Sequence, residues 1–485
     1  MKPQLVIALL ACATLAACKA VGPDYVRPQT DLPARFAEQH EDETQSQEKA
    51  SREWWKNFHD ATLDQLITAA QAANLDIKIA VARVRQARAQ LDVDEAAGDI
   101  SAVLSGSAAR TLVSANIEQN IGQIGTNGSQ FAPGGVPFNL YKIGFDAVWE
   151  IDLFGGIRRS NEAAAANFQA AIESGRGVLI SLYAEVARNY IELRFAQQQL
   201  LLAQQTVNSL DDTLKLTQQR RSTGLVNEVE VANAETQLSA ARATLLPLQT
   251  NIKKSMHRLS VLLGKPPQAL QEQLEQPTAI PASSASVEAG LPSELLLRRP
   301  DIRRAEQDVA HASAEIGVAT ADLYPRFNLA ATVGLQSSAS GNLLSSSSKT
   351  WTIAPGFTLP LFGRDKIRDN ISIFSAAQDQ ALFSYQSAVL AALEDVENAL
   401  LEYHNEQERL RDLAAAYTAN QRAHDLAQQR YQSGLSSVLE VLTSERTLLA
   451  TQTQLTQAEA SRASSLVALY KALGGGWESD PVNTP

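Results

Sequence analysis

Apolar residues recur at every seventh position in two long stretches, 157–223 and 228–263, and the first of these contains no proline. A seven-residue step is typical of a coiled-coil seam. We therefore predict a long helix of about 67 residues, or about 100 Å, followed by a shorter returning helix. The predicted seam residues are Val186, Leu193, Leu200, Val207, Leu214, Val231, Leu238, Leu245, Ile252 and Leu259.

A weaker seam with the same step predicts a second helical hairpin further along the chain. Its residues are Val396, Tyr403, Leu410, Tyr417 and His424. A helix at about 74–97 and the returning helix together match the length of the first long helix. We expect two such shorter helices to stack end to end along each long one. An isolated two-helix coiled coil is the alternative interpretation.

Alternation of apolar and polar residues predicts several strands. They lie at 141–153, 327–335, 351–361 and, more weakly, 101–113. Strands of about ten residues with one apolar face are typical of transmembrane barrels. A half-buried sheet in a soluble protein is the alternative. The connections 114–139 and 337–349 are rich in Gly, Ser and Asn, which predicts exposed extracellular loops.

The chain contains an internal twofold repeat. Gln218-Gln219-Arg220 recurs as Gln428-Gln429-Arg430 at an offset of 210 residues, and further matches continue on both sides. Leu153-Phe154-Gly155 likewise matches Leu361-Phe362-Gly363. Self-similarity at a fixed offset indicates duplicated supersecondary units. Each predicted unit consists of a helix, a strand pair and a helical hairpin.

These patterns divide the chain into segments. The predicted segments are a signal peptide (1–17), a lipidated, extended N-terminal segment (18–73), repeat 1 (74–264), an equatorial linker (265–299), repeat 2 (300–474) and a C-terminal tail (475–485). The predicted strand pairs cover about 101–153 and 326–361, and the hairpins cover 157–264 and 365–474. The linker is rich in proline, which favours a boundary there.

The N-terminus carries a targeting signal. Lys2 precedes an apolar run that closes on Leu15-Ala16-Ala17-Cys18. The run is too short to span a bilayer, and small residues before a cysteine suit a lipoprotein signal peptidase. We predict that Cys18 carries diacylglycerol and an N-acyl chain such as palmitate. Ordinary secretory cleavage is the alternative. Lys19 is not the Asp that resembles an inner-membrane retention signal, so the predicted location is the outer membrane.

The number of strands predicts an oligomer. No later stretch approaches 18 consecutive apolar residues, so the predicted membrane-spanning elements are strands. Four strands cannot close, because natural barrels begin at about 8 strands. We therefore predict an α+β membrane protein in which four strands per chain complete a trimeric twelve-stranded β-barrel. This barrel is expected to be continuous with a long coiled-coil α-helical barrel.

Composition and missing motifs argue against an enzyme. Aromatic residues make up 6% of the chain and the formal net charge is −11, which disfavours nucleic acid as a partner. The histidines form no H-E-x-x-H pattern, and no Walker loop, G-x-G-x-x-G or G-x-S-x-G sequence is present. Cleavage leaves Cys18 as the one cysteine. We therefore predict no metal site and no cofactor beyond the covalent lipid.

Four motifs distributed along the chain carry a family resemblance. They are Val21-Gly22-Pro23-Asp24-Tyr25, the block from Leu291-Pro292 to Pro300-Asp301-Ile302, the block from Ala319 to Tyr324-Pro325, and Tyr431-Gln432-Ser433-Gly434-Leu435. They resemble the TolC-like outer-membrane factor family of tripartite efflux and secretion systems, in its lipoprotein branch. The resemblance implies a homotrimeric channel in the Gram-negative outer membrane. It also implies a periplasmic membrane-fusion adaptor, an inner-membrane pump of the resistance-nodulation-division type, and passive export of drugs or other small toxic compounds.

Each predicted hairpin turns at a glycine, Gly224 in the first and Gly434 in the second. Glycine suits the left-handed position that follows a helix. The predicted capping pairs that begin the returning helices are Asn227 with Glu230 and Ser437 with Glu440. Two interpretations of these glutamates stay open. They cap helices and do nothing else, or they form rings of carboxylates that favour cations at a pore entrance.

The resemblance adds a periplasmic gate to these tips. In related channels, an acidic residue six positions after the first tip glycine approaches a tyrosine three positions before the second. Glu230 and Tyr431 occupy those positions here, so the implied gate residues are Glu230, Glu440 and Tyr431. Some members carry an arginine two positions after the second glycine. Ser436 stands there instead, which predicts a gate without arginine bonding.

Other protein classes share parts of this pattern. A surface-anchored coiled-coil adhesin or structural lipoprotein would carry the same heptads, and a single-chain porin would need more strands and fewer helices. Ion conductance together with a trimer mass in detergent would separate the three. Drug or solvent efflux, metal-ion efflux and protein secretion all stay open as cargo classes. No run of methionine favours copper or silver, because the chain has only Met1 and Met256.

Overall fold

The computed structural model describes residues 20–38, 53–112, 114, 137–283, 292–433, 435–436 and 438–477. The predicted signal peptide, Cys18, Gly434, Ser437 and residues 478–485 lie outside the described residues. The chain divides into two compact units. One contains 1–27, 87–168 and 308–381, and the other contains 28–86, 169–307 and 382–485.

Helices form most of the described chain. They are α1 (Ala61–Ala73), α2 (Leu75–Ala96), α3 (Gly156–Ser222), α4 (Glu228–Leu262), α5 (Gln271–Leu274), α6 (Pro292–Arg298), α7 (Pro300–Ala321), α8 (Arg364–Gln432) and α9 (Val438–Ala472). The strands are β1 (Ser101–Leu112), β2 (Pro137–Ile151), β3 (Arg326–Ser337) and β4 (Lys349–Thr358). Both repeats thus contain the predicted helix, strand pair and hairpin. Among the described residues, no helix combines the length and the apolar character needed to cross a membrane.

The predicted long helices are confirmed. α3 has 67 residues and α8 has 69, and neither contains a proline to interrupt its backbone hydrogen bonds. Seam positions are buried in both helices, with Val186 and Leu193 in α3 and Val396 in α8. Pro247 lies inside α4 without ending it.

The four strands form one antiparallel sheet in the order β1-β2-β3-β4. Their register places Leu104, Phe145, Val333 and Trp351 side by side in a row across all four strands. Each member of this row, hereafter the apolar row, is more than half exposed. The adjacent row of Val103, Asp146, Thr332 and Thr352 belongs to the opposite face, because successive side chains of a strand alternate between faces. One face is therefore apolar and the other is largely polar.

The sheet has two open edges within the described part of the chain. There, β1 pairs with β2 alone and β4 with β3 alone. Their outer edges therefore present backbone N–H and C=O groups that no strand satisfies. Open edges of this kind are available for pairing with another chain. The weakly predicted strand at 101–113 is confirmed as β1.

The N-terminal segment differs from the prediction made from the sequence. It was expected to be extended up to residue 73, but residues Trp54–Phe58 form a 3-10 helix and α1 follows. The Asp60 side chain caps α1 by accepting hydrogen bonds from the backbone N–H groups of Thr62 and Leu63, at 2.8 and 3.0 Å. Residues Leu63, Leu66, Ile67 and Ala70 form the buried face of α1. This spacing is helical, so burial of an apolar stripe stabilises a helix here.

Aromatic packing connects the 3-10 helix before α1 with later helices of the second unit. Trp54 stacks on Tyr470 with ring centroids 5.2 Å apart, and Trp55 packs against Tyr183 at 4.8 Å. The Asn57 side-chain amide donates a 2.8 Å hydrogen bond to the Tyr470 hydroxyl. The segment before α1 is thereby attached to α3 and α9.

Candidate functional site at the hairpin tips

The first hairpin turns through a glycine in the left-handed conformation. Gly224 has a φ of +75°, and the Leu225 N–H donates a 2.9 Å hydrogen bond to the carbonyl of Arg220. This bond satisfies a carbonyl at the end of α3, as in a Schellman motif. A Cβ at Gly224 would meet no atom within 4 Å. Glycine is therefore needed for its backbone conformation and not for space.

The second hairpin repeats the closing hydrogen bond of this turn. The N–H of Leu435 donates a 2.8 Å hydrogen bond to the carbonyl of Arg430, which is the counterpart of the Leu225–Arg220 bond at the 210-residue offset. Gly434 itself is outside the described residues, so its role as the tip glycine stays a prediction. The same holds for Ser437 as the cap of α9.

The returning helix α4 begins at an asparagine cap. The Asn227 side chain accepts a 3.1 Å hydrogen bond from the backbone N–H of Glu230. The bond uses the backbone of Glu230, so the glutamate carboxylate is not required for it. Negative charge in the first turn is favourable because it faces the positive end of the helix dipole. The capping function of Asn227 and the function of the Glu230 carboxylate can therefore be separated by substitution.

Ion pairs surround both turns. Arg221 pairs with Glu228 in the first tip, and Arg430 lies 3.9 Å from Glu440 in the second. Both glutamates are exposed. Each tip therefore carries an arginine and a carboxylate in the turn itself, where water weakens their attraction.

A hydrogen bond connects the two long helices near their tips. The Arg220 guanidinium donates to the Tyr431 hydroxyl over 2.6 Å and lies 5.9 Å from the centre of the tyrosine ring. Ser436 supplies no arginine at the position discussed above, but Arg220 of the other repeat bonds to Tyr431, a contact that the sequence analysis did not anticipate. Sequence reasoning missed Arg220 because it matches Arg430 and so resembled a framework residue of the repeat. The predicted approach of Glu230 to Tyr431 stays a prediction.

Apolar side chains at the tips are unusually exposed. Leu225, Val229, Leu435 and Leu439 are 64–74% exposed. The last two are the counterparts of the first two at the repeat offset. A groove of about 480 Å³ lies beside the second tip and is lined by α8 and α9 residues that include Leu439 and Glu440. Exposed apolar side chains next to a groove favour a protein-binding surface.

Further from the tip, charged side chains hold the first hairpin together. Asp211 of α3 accepts hydrogen bonds from Arg242 of α4 at 3.0 Å and pairs with Lys215 at 2.8 Å. The hydrogen bond from Lys215 lowers the pKa of Asp211 below its usual range. Asp211 therefore stays ionised well below neutral pH, and the hairpin keeps this contact.

Comparisons with known proteins give the family context. The family model "Outer membrane efflux protein" matches residues 66–265 and 291–475. The chain is 31% identical to the probable efflux pump outer membrane protein TtgC of Pseudomonas putida, over 96% of this chain and 93% of that protein. It is also 31% identical to the pyoverdine export outer membrane protein OpmQ of Pseudomonas aeruginosa, over 88% of each.

Solved structures agree. The outer-membrane channel OprN is 33% identical with a TM-score of 0.84, covering 94% of this chain and 99% of that one. The CmeC outer membrane channel of Campylobacter jejuni has a TM-score of 0.85 at 23% identity, covering 95% of this chain and 96% of that one, and this likeness supports the fold. The predicted fold class, with long helices and four strands per chain, is confirmed. The chain belongs to the outer membrane efflux protein family.

Proposed function

We propose that this chain is one subunit of a trimeric channel lipoprotein in the outer membrane of a Gram-negative cell. In this proposal the channel belongs to a tripartite efflux pump. It passively conducts drugs or other small toxic compounds from an inner-membrane pump and periplasmic adaptor to the exterior. The family membership supports an outer-membrane efflux channel, and the trimer, the lipid, the partners and the cargo are the proposed details.

The apolar row carries this proposal. Leu104, Phe145, Val333 and Trp351 are exposed on one face of a sheet with two open edges. In water such a sheet would expose apolar area and unsatisfied backbone together, which favours aggregation. Pairing β1 of one chain with β4 of the next removes both edges, and lipid covers the apolar face. Three chains then close twelve strands, within the range of natural barrels.

The tips support an adaptor as the periplasmic partner. Four exposed apolar residues occupy equivalent positions in the two tips: Leu225, Val229, Leu435 and Leu439. A trimer would present six such tips in a ring with near-sixfold repetition. A partner with repeated helical hairpins of its own could bury these side chains in apolar contacts. The inner-membrane pump, of the resistance-nodulation-division type, supplies the energy in this proposal because the channel is passive.

The lipid anchor is proposed from the sequence. Leu15-Ala16-Ala17-Cys18 fits a lipoprotein signal peptidase, and Cys18 would carry diacylglycerol and an N-acyl chain. Lipid at the N-terminus would add to the attachment that the apolar face of the sheet supplies. Two such attachments together hold a protein to a membrane far more firmly than one acyl chain.

Engineered cysteines in the edge strands test the trimer. Val103→Cys in β1 is combined with Thr352→Cys in β4, because both residues lie on the polar face. Thr350→Cys and Ala354→Cys scan the neighbouring registers of the same face. One register should give covalent trimers on oxidation in outer membranes, and each single-cysteine variant serves as the control. Monomers in every register would contradict the closed trimer.

Conductance tests the channel. Trimers purified in detergent and inserted into planar bilayers should conduct ions when the tips open. A surface-anchored coiled-coil adhesin or structural lipoprotein would give no conductance at any voltage. If the trimers do not conduct even after the tip contacts are removed, the result favours the adhesin or structural lipoprotein over an export channel.

A further inference from the structure

The first described residues of the chain are held by a buried arginine of α3. The Arg159 side chain is 4% exposed. Its Nε donates to the carbonyl of Val21 at 3.0 Å, and one terminal nitrogen lies 3.4 Å from the carbonyl of Gly22 and 2.6 Å from the carboxylate of Asp24. Another terminal nitrogen donates to Glu162 at 2.7 Å. A planar guanidinium can serve several acceptors at once because its donors are fixed in a fork.

Backbone contacts fasten the same segment from the other side. The N–H of Val21 donates a 3.0 Å hydrogen bond to the carbonyl of Phe154, just beyond the end of β2. Gly22 has a φ of +87° and packs on Gly317 of α7, where a Cβ on Gly22 would lie 2.4 Å from the Gly317 Cα. A Cβ on Gly317 would lie 2.6 Å from the Arg159 Cγ. Two glycines therefore let the segment and the arginine approach closely. We call these contacts of residues 21–24 the N-terminal clamp.

Arg159 keeps its positive charge although its side chain is buried. Burial alone would lower the pKa of Arg159, but hydrogen bonds and charges from Asp24 and Glu162 outweigh burial and raise the pKa above its usual value. A buried guanidinium must have its donors satisfied, and the clamp supplies both carbonyl and carboxylate acceptors. The clamp therefore does not release its segment through loss of the arginine charge.

Aromatic residues mark the level at which the clamp lies. The ring of Phe154 stacks on Tyr324 with centroids 4.7 Å apart, and Tyr324 is partly exposed. The indole N–H of Trp149 donates to the carbonyl of Gly98 at 3.1 Å. Aromatic side chains with polar groups concentrate where a membrane meets water. Because Val21 bonds to Phe154, the clamp lies at the same end of the sheet as this aromatic group.

We propose that Arg159 is a positioning residue that holds the lipid-bearing end of the chain beside the end of β2. The inference rests on the proposed acylation of Cys18. Cys18 precedes Val21 by three residues, which an extended chain spans in about 11 Å at most. The acyl chains therefore enter the bilayer beside β2 and are not on a loose tether. The anchor and the apolar face of the sheet then engage the same membrane at a fixed separation.

The test compares Arg159→Gln with a matched control, Arg158→Gln. Arg158 is the preceding residue of α3, is exposed and lies 3.6 Å from Asp152. Both substitutions are made in the full-length chain and in a Cys18→Ser chain exported by an ordinary secretory signal. The readouts are the acyl mass on the N-terminal peptide, the amount of trimer in outer membranes, and the mobility of a nitroxide at Val26→Cys. Val26 is 80% exposed and lies outside the clamp.

In the lipidated chain, Arg159→Gln should leave acylation unchanged, sharpen the nitroxide spectrum and lower the trimer yield at least fivefold. In the Cys18→Ser chain it should lower the yield by less than twofold. Arg158→Gln should match the parent in acylation, nitroxide spectrum and trimer yield, in the lipidated chain and in the Cys18→Ser chain alike. Asp24→Asn keeps an acceptor oxygen but removes its negative charge, at an exposed position, so it should give a smaller loss with the same dependence on lipid. It replaces Arg159→Gln if that variant does not fold.

Two results would overturn the proposal. An equal loss of trimer in both backgrounds assigns Arg159 to folding alone, and a parental yield and spectrum show that the clamp has no role in anchoring. If the Cys18→Ser chain forms no trimer, the thermal unfolding midpoint of the purified chain replaces the yield in that background. Absence of acyl mass from the parent chain would refute the lipid anchor itself, and this outcome is visible before any substitution is made.

Discussion

Arg220 and Tyr431 are joined by a 2.6 Å hydrogen bond that connects α3 of the first repeat with α8 of the second. The bond breaks the symmetry of the repeat. At the 210-residue offset, Arg220 corresponds to Arg430 and Tyr431 corresponds to Arg221. Arg430 instead lies 3.9 Å from Glu440 within its own hairpin. Each hairpin therefore has an arginine–glutamate pair of its own, and the Arg220–Tyr431 bond is an additional contact between the two hairpins.

Removal of this connection should open the periplasmic end of the channel. Tyr431→Phe deletes the hydroxyl that Arg220 binds, and Glu230→Ala deletes a carboxylate of the predicted gate. We expect each to raise the resting conductance of trimers in planar bilayers. Tyr417→Phe, at a half-buried position of α8, is the matched control. Unchanged conductance in both test variants would argue against a gate at these residues.

Asn227→Ala separates capping from gating. It removes the acceptor for the Glu230 N–H, so the first turn of α4 should lose about 1 kcal/mol of stability and exchange its amide hydrogens faster. Glu230→Ala leaves this bond possible. If Glu230 acts in the gate, its substitution raises conductance without faster exchange. If Asn227→Ala and Glu230→Ala both change amide exchange and conductance in the same way, the glutamate acts only in capping.

Trp477 should be required for full stability of the second unit. Its indole lies 4.5 Å from the Arg176 guanidinium and 5.3 Å from that of Arg303, and its N–H donates to the carbonyl of Arg298 at 2.8 Å. Truncation after Gly475 should cost about 2 kcal/mol in urea unfolding, since cation–π contacts and a hydrogen bond are lost.

The control for this truncation ends the chain after Trp477 and removes residues 478–485 alone. It should unfold like the full-length protein. The same loss of stability in both truncations would show that the terminal residues matter for a reason other than the tryptophan. Trp477→Phe keeps a ring between the two arginines but deletes the indole N–H, so an intermediate loss is expected.

Acid should weaken a contact at the start of α7. Arg299 donates to both carboxylate oxygens of Asp301, at 3.0 and 2.6 Å, and to Asp395 at 2.9 Å. Burial would raise the pKa of Asp301, but hydrogen bonding and charge from Arg299 outweigh burial and lower it below its ordinary 3.8. The pKa of Arg299 is raised, so the arginine stays charged throughout. The contribution of Asp301 is therefore present above pH 3.8 and is lost as the pH falls through its folded-state value.

Asp301→Asn should accordingly lower stability at neutral pH by up to about 1 kcal/mol, a modest amount because the carboxylate is half exposed to water. The difference from the parent should shrink below pH 3.8 and vanish once Asp301 is protonated. Urea unfolding of the parent and the variant at a series of pH values measures this difference in stability. Asp412→Asn, at an exposed position of α8, should show no such dependence, and a constant difference for Asp301→Asn would contradict the ion pair.

Local patterns in the sequence were sufficient to predict most of the elements. The seven-residue step predicted α3 and α4 because coiled-coil packing repeats at that interval, and alternation predicted β2 and β3 because strand side chains alternate between faces. The helix α1 was missed because it is short and follows a segment with no repeat. The cap at Asp60 and the apolar stripe from Leu63 to Ala70 were signals that could have revealed it.

The sequence by itself thus determined most of the elements, the duplication and the first tip, since each depends on residues that are close along the chain. The tertiary structure decided which side chains meet. Arg159 reaches Val21, Arg220 reaches Tyr431 and Trp477 reaches Arg303, each across more than a hundred residues. Such contacts depend on the path of the whole chain, and periodicity in a sequence carries no information about distances between remote segments.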